Sequence, residues 1–136
     1  MPTICITGGT GTIGKSLSQY LLEKGHRVIV LCRSRPKSTL ADIQYVHWNP
    51  FKGEIDAKAL KNTDCIVHLA GANVAEKRWS IRRKKEIVES RTLSSKTIVD
   101  FLRNHPNKVK TVISMSAIGW YGPDRGTIFT ENDPAY

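Results

Sequence analysis

The stretch Ile4-Cys5-Ile6-Thr7-Gly8-Gly9-Thr10-Gly11-Thr12-Ile13-Gly14 decides how the chain folds. A short apolar run, the mark of a buried strand, leads straight into a cluster of glycines. Beyond them Ile13, Leu17, Leu21 and Leu22 recur at intervals of four, four and one, the spacing of one helical face. Only this context, a strand turning through glycines into a helix, gives such a motif meaning. Gly8 tolerates the backbone angles of a tight turn. Gly11 has no side chain to hold a pyrophosphate away from the backbone, and Gly14 lets the helix pack close to the strand. The free N–H groups and partial positive charge at the helix start suit an anion. Gly8, Thr10, Gly11, Thr12, Ile13 and Gly14 are therefore the candidate phosphate-binding residues. A glycine-rich turn of some other α/β protein is the alternative.

The chain then repeats the pattern. The first helix, residues 12–24, stops at Gly25, and Arg27-Val28-Ile29-Val30-Leu31-Cys32 reads as a second buried strand. Strand, helix, strand in so short a span is a βαβ unit with parallel strands. The second strand ends in Arg33-Ser34-Arg35, and no carboxylate follows until Asp42. Dinucleotide-binding folds selective for NAD put an acid here to hold the ribose hydroxyls. Guanidinium groups instead pair with a 2′-phosphate. Arg33 and Arg35 thus predict NADP, with a basic surface loop as the alternative.

Further strands are expected at residues 44–48, 64–72 and 110–115, and a short helix at 57–60. The fourth strand ends in small residues, so Leu69, Ala70 and Gly71 can lie against a cofactor. His68 invites a catalytic reading, but a histidine in an apolar strand is expected to be hydrogen-bonded in place. A long helix is expected from Ser80, its cap, to Asn104, with Pro106 as stop signal. Its packing face would carry Ile87, Val88, Ser95, Ile98, Val99 and Leu102, with Arg91 among them. A charge on a packing stripe needs a partner, so Arg91 either meets an anionic cofactor or a nearby Glu, or snorkels to the rim. These elements make an α/β fold, a Rossmann-type doubly wound parallel sheet in the order 3-2-1-4-5. A single domain over residues 1–136 accounts for the length.

Composition narrows the class. The formal charge is +9, from 21 basic and 12 acidic residues. Much of the excess is local, at Lys77, Arg78, Arg82, Arg83, Lys84 and Lys85. A solvated helix start near a phosphate-rich cofactor is preferred over a nucleic-acid surface, because the aromatic interleaving of single-strand binders is missing. Cys5, Cys32 and Cys65 lie in or beside apolar runs without a pairing pattern, which argues for buried free thiols rather than disulfides or a metal site. No apolar run approaches the length of a membrane span and no secretory leader is recognisable, so a cytoplasmic location is expected.

The loop T-G-G-T-G-T-I-G, L-C-R, W-N-P, the D-x-x-x-H-L-A-G strand, E-S-R in the long helix and S-A-I-G-W-Y-G together resemble atypical short-chain dehydrogenase/reductases of the sugar-nucleotide epimerase kind. The G-x-x-G-x-x-G spacing of Gly8, Gly11 and Gly14 fits that group rather than dehydrogenases with G-x-G-x-x-G. The resemblance covers the whole chain. It implies NADP contacts from Arg33, Leu69, Ala70, Glu86 and Arg91, a small-molecule substrate such as a nucleotide sugar, and hydride transfer. Members of the group are about twice this length, so residues 1–136 are expected to be the N-terminal NADP-binding part, without the substrate lobe. Self-association, as a homodimer, is the expected use of a last strand left as an edge.

The resemblance also exposes a gap. Hydride chemistry at a carbinol needs a base for the hydroxyl proton, and a tyrosine beside a cation can serve. The Tyr-x-x-x-Lys pair of active reductases is not visible after the Ser116 segment, and Tyr20 to Lys24 matches it only by letters, inside the first helix. Ser116 and Tyr121 remain the candidate catalytic residues. Tyr121 stands one residue too far along for the S-x-x-x-Y-G of extended relatives, which favours a structural role. A non-catalytic NADP-binding or redox-sensing module is the alternative function, and a polyanion-binding domain a weaker one.

Overall fold

The computed structural model describes residues 1–136. In chain order the elements are β1 (Thr3–Thr7), α1 (Thr12–Glu23), β2 (Arg27–Cys32), β3 (Ile43–Asn49), β4 (Glu54–Ile55), α2 (Ala57–Leu60), β5 (Cys65–His68), α3 (Ile81–Asn104) and β6 (Thr111–Ser114). A short 3-10 helix follows at Ile118–Tyr121. The strands form one sheet in the order β4-β3-β2-β1-β5-β6. The pairs of β1 with β2 and β5, β2 with β3, and β5 with β6 are parallel. The predicted order of five strands is therefore found, with one correction. Glu54–Ile55, outside the expected strands, adds a short antiparallel edge strand against Trp48 and Asn49. It is too short to show periodicity.

Strand alternation sorts the core into two layers. Cys5, Ile29, Leu31 and Ile66 point to the face covered by Leu60 of α2 and by Ile98 and Phe101 of α3. Ile4, Ile6, Val28, Val30 and Val67 point to the other face, where Leu17, Leu21 and Leu22 of α1 pack. Helices on both faces explain why the strands read as continuous apolar runs. Ile13 belongs to the apolar spacing of α1 yet is 58% exposed.

The packing face of α3 differs from the expected one. Ser94, Thr97, Ile98 and Phe101 are buried, whereas Val88 and Val99 are exposed. The hydroxyls permit this face, which Ile98 and Phe101 anchor in the core. Ser94 and Thr97 donate back to the carbonyls of Ser90 and Leu93, so their polar atoms are satisfied inside the helix and small side chains can pack closely on the sheet. Ser80 caps α3 as expected, its Oγ accepting from the Arg83 amide at 3.1 Å. No helix is long and apolar enough to cross a membrane.

Candidate functional site

The carboxyl ends of β1, β2, β3 and β5 converge on a groove of about 430 Å³. The parallel sheet places it there, because the turns that follow these strands all open on one edge. Its floor is the glycine turn. Gly8 has φ +70, and a Cβ there would lie 2.9 Å from the Leu69 carbonyl carbon and oxygen. Gly14 is tighter still, 2.4 Å from the Gly8 oxygen and 2.5 Å from Gly9 Cα. It thus lets α1 close on the turn itself rather than on the strand as a whole. A Cβ on Gly11 would meet only the Gly8 oxygen, at 3.3 Å, so the space beside Gly11 is open. Gly9, which the sequence reading passed over, is closed by Val30, whose methyls would lie 2.7 and 2.8 Å from a Cβ.

The first turn of α1 has no capping side chain, unlike α2 with Asp56 and α3 with Ser80, and it carries no acidic residue. Its N–H groups are left to an external acceptor. Gly8, Thr10, Gly11, Arg33, Leu69, Ala70, Gly71 and Glu86 all line the groove. Thr12, Ile13 and Gly14 form the helix start beside it. Arg33 stands at the end of β2 beside Cys32 and Ser34, which also line the groove; Arg35 does not line it.

Several lining residues carried no sequence signal for such a role. Trp48, Pro50 and Phe51 bring the end of β3 to the groove, and Asn73, Glu76, Arg83 and Ser90 close it from the loop before α3 and from α3. The W-N-P motif entered the family resemblance without a role for its residues. Arg83 corrects the reading of the basic cluster as a solvated face. It is 4% exposed, bonded to Glu86 at 2.8 Å, to Glu76 at 3.3 Å and to the Asn73 carbonyl. The three-residue step from Arg83 to Glu86 lets the pair meet along one helix face, and a buried guanidinium needs such partners. The hydrogen bond from Arg83 holds Glu86 below the usual carboxylate range.

The place of Arg91 on the packing stripe is also corrected. It lies outside the buried face, and Nη1 donates to the carbonyls of Ile87 at 3.0 Å and Ala72 at 3.3 Å. Its guanidinium lies over Gly71, where a Cβ would approach Arg91 Cζ to 3.0 Å. It meets no Glu; from an exposed position at the rim it fixes the loop after β5. Ser90 does the same from the other side, accepting from the Ala72 amide at 2.9 Å.

His68 is held in place, as expected for a histidine in an apolar strand. It is 7% exposed. Its Nδ1 lies 2.7 Å from Thr7 Oγ1, and its Nε2 3.2 Å from Ser94 Oγ. Burial lowers its pKa from the ordinary imidazole value. Ser116 and Tyr121 do not line the groove. Ser116 is exposed after β6. Tyr121 stacks on Phe129 with ring centroids 5.2 Å apart, a packing contact.

A glycine turn between the first strand and helix, under a parallel sheet in this order, defines the Rossmann class. The chain belongs to the NAD dependent epimerase/dehydratase family, whose sequence model matches residues 4–136. An epimerase family protein of Mycobacterium bovis is 34% identical over 132 residues, covering 97% of this chain and 42% of that protein. The human epimerase family protein crystallised with NADPH superposes with a TM-score of 0.80 at 25% identity, over 98% of this chain and 42% of its own. The nucleoside-diphosphate sugar epimerase of Corynebacterium glutamicum has a TM-score of 0.73 at 34% identity, over 99% of this chain and 27% of its own. The chain thus spans less than half the length of these relatives.

Proposed function

We propose that residues 1–136 are the NADP-binding part of an oxidoreductase or epimerase that acts on a nucleotide sugar or related polyol by hydride transfer. The observation that carries this reading is the uncapped start of α1 against the open space at Gly11, with Arg33 rather than a carboxylate at the end of β2. The fit is chemical as well as steric. Free amides and a helix dipole suit a pyrophosphate, and a guanidinium suits a 2′-phosphate. The human relative crystallised with NADPH supports the same cofactor, and the Corynebacterium relative, a nucleoside-diphosphate sugar epimerase, supports the substrate class.

A bound nicotinamide dinucleotide supplies the hydride acceptor and donor. The residues of this chain have the other tasks. Gly8, Thr10, Gly11 and the amides of Thr12, Ile13 and Gly14 bind the pyrophosphate. Arg33, with Arg35 beyond it, neutralises the 2′-phosphate. Leu69, Ala70 and Gly71 form an apolar wall, and Glu86, oriented by Arg83, accepts hydrogen bonds from the adenosine end. Arg91 acts through Ala72, holding that wall. Ser116 and Tyr121, the candidates for handling the proton, lie outside the groove that these residues line. That same observation favours, as second reading, an NADP-binding module without turnover.

The full-length protein, incubated with NADP or NADPH and a panel of nucleoside-diphosphate sugars, decides between them. Interconversion of a sugar or net change in NADPH absorbance is expected. Tight NADPH binding with no change in any sugar would favour the module.

A further inference from the structure

Thr7 and His68 end neighbouring strands, in register, at the lip of the groove. The Ala70 amide donates to Thr7 Oγ1 at 3.1 Å. The Leu69 amide is shared between Thr7 Oγ1 at 3.2 Å and the Thr7 carbonyl at 3.1 Å. With N–H groups on both lone pairs, the Thr7 hydroxyl has only its own proton left, and its remaining neighbour is His68 Nδ1 at 2.7 Å. The hydroxyl must therefore donate, and Nδ1 must accept. The imidazole proton is then on Nε2, which donates to Ser94 Oγ at 3.2 Å or Ser95 Oγ at 3.3 Å. Ser94 in turn donates to the Ser90 carbonyl at 2.7 Å. Hydrogen-bond counting thus fixes one tautomer and one direction for the relay.

We propose that His68 is a positioning residue: through Thr7 it sets the Leu69 and Ala70 amides that form the groove wall, and protonation at Nδ1 releases that wall. The cation would have N–H on both nitrogens. Thr7 Oγ1 would then face a third donor and would have to turn away from the Leu69 and Ala70 amides. The consequence reaches the groove directly, because Leu69 and Ala70 line it. Ala72, two residues on, is held by Ser90 and Arg91 of the helix that carries Ser94. The groups facing His68 leave its charge uncompensated. From β1 it meets Thr7 and, two residues back, Cys5, a neutral thiol with its pKa pushed up to about 12. From β6 its partner is Ser114. From α3 it meets Ser94 and Ser95, while Arg91 is turned to backbone carbonyls. No carboxylate stabilises an imidazolium here, so acid acts on the wall.

The effect on nucleotide affinity rests on the cofactor reading, and the test separates the two. In the full-length protein, long-range ¹⁵N spectra of the imidazole at about pH 7.5 should show a proton on Nε2 and none on Nδ1. The Leu69 and Ala70 amide resonances should titrate with the His68 midpoint. Affinity for NAD, used beside NADP because the 2′-phosphate itself titrates, should weaken about tenfold in acid, the scale of a lost charge-sensitive hydrogen bond. His68→Asn offers Thr7 an acceptor that does not titrate, so it should keep the affinity and lose the acid step. Thr7→Val should bind about tenfold more weakly at every pH, and Thr7→Ser should restore the wild-type profile. Thermal melts identify any variant that fails to fold. An Nδ1–H tautomer, or a folded Thr7→Val with wild-type affinity, would overturn the proposal. A wild-type protein that binds neither nucleotide refutes the cofactor reading instead, and the amide titration alone then decides the relay: a shift with His68 supports it, flat amides overturn it.

Discussion

Gly11 and Gly14 stand three residues apart in one motif, and the surroundings of a Cβ separate their roles. Open space lies beside Gly11, whereas Gly14 is pressed against Gly8 and Gly9 backbone. Gly11→Val should therefore abolish NADPH binding, because the side chain occupies the pyrophosphate's path, while costing only about 1 kcal/mol at the helix start. Gly14→Ala should destabilise the fold by roughly 1–3 kcal/mol or more, since backbone has to move. Fluorescence titration with NADPH and thermal melts on both variants check the split. Arg33 belongs to the same scale. Replacing it by Ala should narrow the preference for NADP over NAD by roughly 1.5–3 kcal/mol, and calorimetry with both nucleotides reads the change. The glycine turn was legible in the sequence because it depends on local context, a strand end and a helix start. Gly9 was not, because its constraint comes from Val30 on another strand.

At the scale of elements, α3 shows why some of the site could not be read. Its residues Arg83, Ser90 and Arg91 hold the loop after β5 through Asn73 and Ala72. An apolar periodicity cannot reveal that its buried face is made partly of hydroxyls, nor that one of six neighbouring cations turns inward between two glutamates. The cap was legible, since Ser80 lies at the boundary its chemistry marks. Ser80→Ala should lower stability by about 1 kcal/mol in a denaturant titration. A second link ties β1 to the turn before β5. Asp64 accepts from the Thr3 amide at 2.7 Å and pairs with Lys108 at 3.2 Å. The Thr3 hydrogen bond, then Lys108, holds its carboxyl below the ordinary value. A carboxylate with a lowered folded pKa contributes stability that is full above its ordinary pKa and is lost as pH falls through the folded one. Asp64→Asn should therefore flatten the acid limb of the stability profile measured by thermal melts below about pH 4.

Across the whole molecule, the sheet is finished on one side and open on the other. The short antiparallel β4 closes the edge at β3, while β6 pairs only with β5 and leaves Val112 and Ile113 45% and 54% exposed. An unpaired, apolar strand edge recruits another strand. Residues 1–136 expressed by themselves should therefore self-associate, with a mass above the monomer by light scattering, and bind NADP more weakly than the full-length protein. A monodisperse monomer with full affinity would contradict that expectation. The parallel order was legible because the apolar strands alternate with the glycine-led α1 and the Ser80-capped α3, whereas the groove, assembled from four strand ends, exists only in three dimensions. A crystal structure of the full-length protein with NADP tests the central claim most directly. The account predicts the pyrophosphate on the amides of Thr12 to Gly14 beside Gly11, the 2′-phosphate at Arg33, and the adenosine against Leu69 and Ala70. A nucleotide bound elsewhere, or a groove that stays empty at saturating NADP, would contradict it.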